Sequence, residues 1–500
     1  MGHDRLVQPL EEEPGSPETT SVMSEAFFLG IDVGTQGVRV ILTDEKGVLS
    51  GAEQSGINLT DAFRTEQDPH AWWEAVQLCV GKVLEEQPAA VRSRVAALSV
   101  TSTSGTVIPL DKEDRPLHAA LMYSDTRQEE EGRYCRELAL TYNPGGFTAF
   151  NASSGLSKIL WFAGRYPEKA EQTRRWVHAA DYIFGMLSGD FSTTDYTNAL
   201  KTGYDVAGFR WPSYITEALP VEKEWLQEVV PSGKPTGVLL PHLANRWRLG
   251  NVRVVAGMTD GCASQVAAGA VRPGDWNTTI GTTLVVKGVT LNEIKDPLGR
   301  LYSHRHPAGA WMPGGASNTG ADWISREFGE DLQEMNREAA VLTPTHFLSY
   351  PLRQKGERFP FVNEAARGFT DPSISTKGQE FAAGLEGVAY VERLAYRLAE
   401  ALSGERVQAI YSAGGGSNSD VWMQIRADVL NRPVLKTANA SGAMGAAVLA
   451  ASQTRYSDLA EAAGAMTHIE AGFDPRAPAL YEDDFGRFEN LLRKKGYLKD

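Results

Sequence analysis

The sequence predicts an α/β protein in which two large, related domains face one cleft. Strand-like apolar runs alternate with helix-like segments along most of the 500 residues, as they do in α/β folds. A chain of this length is too long for one ordinary hydrophobic core. A strand–turn–strand unit whose turn is rich in Gly and Thr occurs once in each half, at residues 27–42 and 276–289. The repetition of this unit predicts that the two halves are related.

Composition excludes several classes of function. The formal net charge is −14, and long basic runs are missing, which argues against a nucleic-acid or anionic-membrane surface. A nucleotide site needs only local positive charge, so ATP is still compatible with this composition. No apolar run approaches the ~18 residues of a transmembrane helix. The cysteines Cys79, Cys135 and Cys262 are widely separated, which predicts a cytoplasmic protein without zinc or disulfides.

Residues 1–25 are rich in Glu, Pro, Ser and Thr and lack the apolar core of a secretion signal. This composition predicts a disordered N-terminal extension. We expect one domain to span residues 26–270 and the other residues 271–500, with the boundary in the segment Val271–Asp275.

The first Gly/Thr turn follows a buried strand that ends on a carboxylate, Asp32. Gly34 and Gly37 let the backbone bend sharply and approach a ligand. Their N–H groups could face phosphate oxygens while Asp32 holds Mg²⁺. The glycine spacing differs from a dinucleotide fingerprint, and the segment that follows is a strand rather than a helix. Taken alone, this segment predicts a phosphate-binding hairpin and an ordinary hairpin equally well.

The remainder of the first half alternates helices and strands. Apolar residues at helical spacing predict a helix over Pro69–Glu86. Buried strands are expected at Val95–Val100 and Val107–Leu110, on either side of a polar turn. Ser153–Ser188 is expected to be mostly helical.

From Val252 onwards the opening pattern returns in altered form. A strand at Val252–Ala256 leads through a turn containing Asp260 into a small-residue helix, Cys262–Ala270. The second hairpin follows. The later elements are expected to be a helix at Gly387–Leu402, a strand at Val407–Ser412, a glycine loop at Gly414–Ser417, a helix at Ser419–Leu430, a strand at Pro433–Thr437 and a helix at Gly442–Ala451.

Three Gly-rich motifs stand in order along the chain, at residues 30–39, 279–283 and 413–418, with Asp260 just upstream of the second. Together they resemble the FGGY carbohydrate kinases of the actin-like ATPase superfamily, over residues 27–451. The resemblance implies two ribonuclease-H-like (actin-like ATPase) domains around a central cleft. It implies sugar binding by the first domain, nucleotide binding by the second, and the cofactors ATP and Mg²⁺. The expected partners are a small-molecule sugar and ATP, with no nucleic acid and no membrane, in a monomer or homodimer.

A finer resemblance points to the D-ribulose kinase (xylulokinase-like) subgroup. It is carried by residues 103–106, 123–127, 152–155, 195–201, 302–305 and 314–320. Xylulokinases usually carry Gln-Met-His-Gly where this chain has Thr103–Thr106, and Asp-Asn where it has Asp260-Gly261. The resemblance therefore implies phosphorylation of a ketopentose, D-ribulose to D-ribulose 5-phosphate. D-Xylulose or another polyol stays open as an alternative substrate.

Two aspartates are candidates for the chemistry. The family's catalytic aspartate falls at Asp260, which makes it the expected general base and a sugar contact. A helix N-terminus after its turn would keep the carboxylate ionised, although aspartates at such places are often only helix N-caps. Asp32 is the expected Mg²⁺ ligand, with Asp260 as a second one. The alternative for Asp32 is an ordinary Asx-turn.

The remaining site candidates follow from family position. ATP contacts are expected at Thr35, Gln36, Gly37, Arg39, Gly281, Thr282, Thr283, Gly315, Gly414, Gly415, Gly416 and Asn418. Sugar contacts are expected at Thr103, Ser104, Asp125, Arg127 and Asp260, because polyols are recognised by hydroxyl and carboxylate groups. Asp125 and Arg127 could equally form a structural ion pair. Lys201 and Asn198 are secondary sugar candidates.

Two other classes of function stay open. The chain could be a sugar or nucleotide sensor that has lost catalysis, or an actin-like or chaperone-type ATPase whose output is motion. The presence of Asp32, Asp260 and Thr282 argues against lost catalysis. A motion ATPase would not need Asp125 and Arg127.

Overall fold

The computed structural model describes residues 25–329 and 331–498. Apart from Glu25, the predicted N-terminal extension lies outside the described residues. Two large mixed sheets form the centres of two α/β halves, which confirms the predicted fold class. The division between residues 270 and 271 stays a prediction.

The first half contains a six-stranded sheet and two small ones. Its strands are β1 (Phe27–Val33), β2 (Gly37–Asp44), β3 (Leu49–Gly56), β4 (Glu66–Gln67), β5 (Val95–Ser102), β6 (Val107–Leu110), β7 (Ala120–Leu121), β8 (Arg175–His178), β9 (Thr193–Asp195), β10 (Glu228–Val230), β11 (Pro235–Val238) and β12 (Arg253–Thr259). Its helices are α1 (Pro69–Glu85), α2 (Ala89–Arg92), α3 (Glu129–Tyr142), α4 (Gly155–Arg165), α5 (Pro167–Gln172), α6 (Ala179–Ser188), α7 (Tyr196–Ala199), α8 (Tyr214–Glu217), α9 (Pro241–Trp247) and α10 (Asp260–Ala268).

The second half contains a seven-stranded sheet and a two-stranded one. Its strands are β13 (Asp275–Ile280), β14 (Leu284–Gly288), β15 (Tyr302–Arg305), β16 (Trp311–Ser317), β17 (Leu348–Tyr350), β18 (Phe369–Asp371), β19 (Ala409–Ala413), β20 (Val434–Thr437) and β21 (Ile469–Phe473). Its helices are α11 (Asp322–Glu327), α12 (Leu332–Leu342), α13 (Lys377–Ser403), α14 (Asp420–Leu430), α15 (Gly442–Ala451), α16 (Leu459–Met466) and α17 (Ala479–Lys494).

The two large sheets repeat one topology. In the first, the order is β11-β12-β5-β1-β2-β3; β1, β2 and β3 are antiparallel neighbours, whereas β5 and β12 run parallel to β1. In the second, β16-β14-β13-β19-β20 have the same order and the same directions. This is the ribonuclease-H-like arrangement expected from the two hairpins.

The halves meet through two helices that pack against each other, α10 and α15. Helix α15 belongs to the second half in sequence but lies on β1 and β5 of the first sheet. The approach is close: a Cβ atom on Gly30 would lie 1.9 Å from the carbonyl oxygen of Ala443, and one on Gly445 would lie 1.9 Å from that of Ala263. Glycines at position 30 on β1 and position 445 on α15 are therefore required by the packing.

Several predicted elements match the structure closely. The strand Val107–Leu110 and the helix Gly442–Ala451 have the expected bounds. The helix predicted at Gly387–Leu402 begins earlier, at Lys377, where the Thr376 side chain caps it. Ser153–Ser188 contains the strand β8 between its helices. Among the described residues, no helix is long and apolar enough to span a membrane.

Candidate active site

The turn between β1 and β2 borders a groove on the first half. Strand pairing places Asp32 opposite Arg39, and the N–H of Gly34 donates to the Gly37 carbonyl at 2.9 Å. The amide of Gln67 donates to the Thr35 carbonyl at 2.9 Å and holds the turn from outside. Together with Asp32 and Arg39, the predicted ATP contacts Thr35, Gln36 and Gly37 line a groove of about 810 Å³.

The carboxylate of Asp32 is largely buried where α15 begins. Its pKa is raised to about 7, mainly by burial and also by the negative charge of Asp260, while Arg39 partly opposes both effects. Two neighbouring carboxylates that destabilise each other's charge suit a divalent cation, which would remove the repulsion. No group of three or more His, Cys, Asp or Glu residues suited to a metal occurs in the described part of the chain. A Mg²⁺ ion here would therefore take its other ligands from water or phosphate, as Mg²⁺ commonly does.

Asp260 is the first residue of α10, and Thr259 occupies the N-cap position. The N-cap alternative therefore does not describe Asp260. Its carboxylate accepts a hydrogen bond from the N–H of Gly261 at 2.6 Å. Burial raises the pKa of Asp260, and the Gly261 N–H, Lys201 and Lys287 act against that rise. A buried carboxylate beside two lysines at a helix N-terminus is chemically suited to accept a proton.

A buried polar chain fixes the start of α10. The carboxylate of Asp195 accepts hydrogen bonds from the Thr197 hydroxyl at 2.6 Å and from the Ser232 hydroxyl at 2.9 Å. The Thr197 oxygen in turn accepts from the backbone N–H of Thr259 at 2.8 Å. Asp195 therefore orients the residue immediately before Asp260. The sequence motif around Asp195 was associated with the sugar side, but this supporting role was not anticipated.

The second Gly/Thr turn, Gly281–Thr283, connects β13 to β14. It is tied to the loop before α11 by two main-chain hydrogen bonds, from Leu284 N–H to the Thr319 carbonyl at 3.0 Å and from Ala321 N–H to the Gly281 carbonyl at 2.7 Å. A Cβ atom on Gly320 would lie 2.5 Å from the Thr282 carbonyl oxygen. Thr282 itself is exposed and could reach a ligand.

Glu357 holds this loop in place through hydrogen bonds to its carboxylate. Its buried carboxylate accepts hydrogen bonds from the Ser317 hydroxyl at 2.8 Å, the Asn318 N–H at 2.7 Å and the Thr319 hydroxyl at 3.0 Å. The Tyr350 hydroxyl donates to it as well, at 2.8 Å. One side chain therefore holds the segment to which the second turn is bound. Sequence reasoning missed Glu357, because it lies in an irregular loop without periodicity.

The glycine loop reaches the same edge of the second sheet. Gly415–Asn418 forms one 3-10 turn, and Gly414 before it has a φ of 83°. A Cβ atom on Gly414 would lie 2.6 Å from the Ile280 carbonyl oxygen, at the end of β13. Gly414, Gly415 and Asn418 are exposed, whereas Gly416 is buried. The loop and the second turn are therefore neighbours.

Gly315 has a different setting. It lies buried in β16, and a Cβ atom there would be 2.7 Å from the Phe359 ring. Its tight contact is with the interior of the second half rather than with the glycine loop.

Asp125 and Arg127 are predicted sugar contacts for which the sequence also allowed a structural ion pair. In the structure they form that ion pair. Arg127 Nη2 lies 2.7 Å from Asp125 Oδ2 and 2.7 Å from Glu66 Oε1, and its guanidinium stacks over Trp161 at 4.5 Å. Gln128 also donates to Asp125 at 2.7 Å. Most of the hydrogen-bonding capacity of Asp125 is used within the protein.

The other predicted sugar contacts differ in whether their polar atoms already have hydrogen-bond partners within the protein. The hydroxyls of Thr103 and Thr106 bond each other at 2.8 Å. The buried Ser104 Oγ has no partner among the described residues and is available to a ligand hydroxyl. The Asn198 amide nitrogen donates to Asp195. Lys201 contributes positive charge near Asp260.

The same sheet topology occurs in both halves, each half carries a Gly/Thr turn, and two aspartates lie where the halves meet. These features define an α/β protein of the actin-like ATPase fold. A xylulose kinase from Rhodospirillum rubrum has the same fold, with a TM-score of 0.82 and 23% identity over 94% of this chain and 99% of that one. A Plasmodium falciparum glycerol kinase solved with ADP also has it, with a TM-score of 0.82 and 18% identity over 95% and 99%.

Sequence comparison then identifies the family. The N-terminal and C-terminal domains of the FGGY family of carbohydrate kinases match residues 27–267 and 277–454. The chain belongs to this family and is a carbohydrate kinase. It is 29% identical to the xylulose kinase of Escherichia coli K12, over 85% of this chain and 89% of that protein. It is 26% identical to the gluconokinase of Bacillus subtilis 168, over 85% and 87%.

Proposed function

We propose that this protein phosphorylates a ketopentose at its terminal hydroxyl with ATP, converting D-ribulose to D-ribulose 5-phosphate. The observation that carries the proposal is the position of Asp260, the first residue of α10, close enough to Asp32 for their charges to interact. A base at this position faces the junction of the two halves, where a sugar and a nucleotide would meet.

In this proposal Asp260 accepts the proton of the sugar hydroxyl while the hydroxyl oxygen attacks the terminal phosphorus of ATP. The donors of the Thr35–Gly37 turn and of the Gly281–Thr283 turn hold the phosphate oxygens, and the glycine loop borders the adenosine. Closure of the halves excludes water from the transfer. When bound by Asp32 and Asp260, Mg²⁺ would neutralise charge on the phosphates.

The choice of D-ribulose rests on the segments that resemble D-ribulose kinases, above all Thr103–Thr106 and Asp260-Gly261. D-Xylulose is the second candidate, because several of the similar proteins are named xylulose kinases. We place the reaction in the cytoplasm, which fits three buried, unpaired cysteines.

A coupled assay of ADP release tests the proposal, with a panel of D-ribulose, D-xylulose, D-gluconate and glycerol. We expect the highest kcat/KM with D-ribulose, by about tenfold or more over D-xylulose, the range that one altered polar contact can supply. Preference for another member of the panel would replace D-ribulose as the substrate. Binding of sugar and ATP without any turnover would instead identify a sensor.

A further inference from the structure

Lys287 lies at the junction of the two halves, beside the proposed base. It stands on β14 of the second sheet, but its side chain runs towards α10 of the first half. A Cβ atom on Gly261 would lie 3.0 Å from Lys287 Cε, and one on Gly314 would lie 2.9 Å from Lys287 Cγ. The stem of Lys287 therefore fills a narrow slot that exists because both of these residues are glycines.

The ammonium group of Lys287 lies at the first turn of α10. There Nζ lies 3.5 Å from the Cys262 sulfur, and a Cβ atom on Gly261 would be 3.8 Å from it. A thiol is a weak acceptor. The ammonium group of Lys287 forms no other hydrogen bond and no ion pair within the described parts of the chain. An ammonium group has three donors, so most of its bonding capacity is open in a site where an unpaired charge is costly.

Other polar groups around Lys287 lack partners as well. His304 on β15 is 2% exposed; its ring lies near the main chain of Met312, and neither ring nitrogen makes a well-formed hydrogen bond among the described residues. Burial lowers the pKa of His304 well below its usual value, and Lys287 and Lys201 lower it further. The ring is therefore neutral and offers one donor and one acceptor. Unpaired donors and acceptors on β14 and β15, facing the Asp260 turn of the first half, suit a ligand that carries several hydroxyl or carbonyl oxygens.

We propose that Lys287 is an acceptor-binding residue supplied by the second half: its ammonium group donates a hydrogen bond to a sugar oxygen beside the hydroxyl group that Asp260 deprotonates. This inference rests on the proposed function and names a residue that determines which sugars fit. It also gives a steric reason for Gly261. The Cβ atom of an asparagine there, as in the usual xylulokinase pattern, would lie 3.0 Å from Lys287 Cε and would push the lysine side chain out of its present path.

The test compares Lys287→Met, which keeps the length of the stem and removes the charge, with Lys287→Arg and the wild type. Lys436→Met is the matched control, because Lys436 lies in the same sheet and pairs with Glu470 at 2.9 Å, away from Asp260. Calorimetry measures D-ribulose and D-xylulose binding without nucleotide, and the ADP-release assay gives KM for both substrates.

We expect Lys287→Met to raise Kd and KM for the sugar by about tenfold or more, the loss typical of a hydrogen bond to a charged group. The KM for ATP should change less than about twofold, with partial recovery in Lys287→Arg and wild-type behaviour in Lys436→Met. Unchanged sugar affinity, or an equal rise in the KM for ATP, would show that Lys287 only joins the halves. If the wild type phosphorylates D-xylulose instead of D-ribulose, the choice of substrate fails but the comparison of variants still decides Lys287. A wild type that neither binds nor phosphorylates these sugars contradicts both proposals.

Discussion

The carboxylate of Asp32, at the end of the first strand, lies against the backbone of Gly442, the first residue of α15. A Cβ atom on Gly442 would be 2.7 Å from Asp32 Oδ2 and 2.9 Å from its Cγ. These residues are far apart in sequence, and they meet because α15 crosses from the second half onto the first sheet. The position of the proposed metal ligand therefore depends on how the halves are packed.

Gly442→Ala tests this dependence. The added methyl group must displace the Asp32 carboxylate, and a shift of about 1 Å at a catalytic group can cost about 100-fold in rate. We expect kcat to fall by about tenfold to 100-fold, with the fold retained. Gly81→Ala in α1 is the control, because its methyl group would meet nothing within 4 Å; it should leave kcat unchanged and stabilise the helix by about 0.5–1 kcal/mol. Wild-type kcat in Gly442→Ala would contradict the assigned role of Asp32.

Because Glu357 holds the loop attached to the second Gly/Thr turn, we expect its substitution to weaken ATP binding selectively. Glu357→Gln places an N–H group among five donors, the fifth being the Arg358 N–H at 3.0 Å, so the 317–320 loop and the attached Gly281–Thr283 turn should shift. We expect KM for ATP to rise by about tenfold while calorimetric Kd for the sugar stays within about twofold. Tyr350→Phe removes one donor without touching the loop and should have a much smaller effect. An equal loss of sugar and ATP affinity would mean that Glu357 supports the whole half rather than the turn.

Buried Glu386 on α13 predicts a pH dependence of stability. Burial raises the pKa of its carboxyl from the ordinary 4.5 to about 7, although the Thr345 N–H donates to it at 2.9 Å. Between these pH values the folded state keeps a proton that the unfolded state has lost, so stability falls as the pH rises through this window. The full contribution is up to about 3 kcal/mol.

Urea unfolding at pH 5 and pH 7.5 measures this effect. The wild type should lose more unfolding free energy between the two pH values than Glu386→Gln, which cannot titrate. Glu380→Gln, an exposed substitution on the same helix, should retain the wild-type slope. Identical slopes in the wild type and Glu386→Gln would show that Glu386 does not titrate in this range.

The hairpins and their glycine turns could be predicted from the sequence because their signals are local. Two apolar runs on either side of a glycine turn predicted the strands around Asp32, and the structure pairs Asp32 with Arg39 across that turn. The helix after Asp260 was also expected, although it begins two residues before the predicted Cys262, at Asp260 itself. The structure of each of these elements is determined by a few neighbouring residues in the sequence.

The relations between distant segments could not be predicted in the same way. Nothing near Gly442 indicates that α15 packs on the first sheet rather than on its own. Lys287 had a weak signal, a lysine inside the apolar strand Leu284–Gly288, but its path depends on Gly261 and Gly314 from other elements. Asp125 and Arg127 were ambiguous because an ion pair and a polyol site use the same residue types. Only the structure shows their mutual contact.

Asp260→Asn is the decisive variant for the proposal that Asp260 is the base of a sugar kinase. The measurement is single-turnover ATP transfer to the best sugar of the panel, with calorimetric sugar binding on the same preparation. We predict that transfer falls by about 1,000-fold or more, within the range expected for loss of general base catalysis, while sugar Kd changes only a few-fold and the fold is retained. A variant that transfers phosphate at a large part of the wild-type rate would show that Asp260 is not the base.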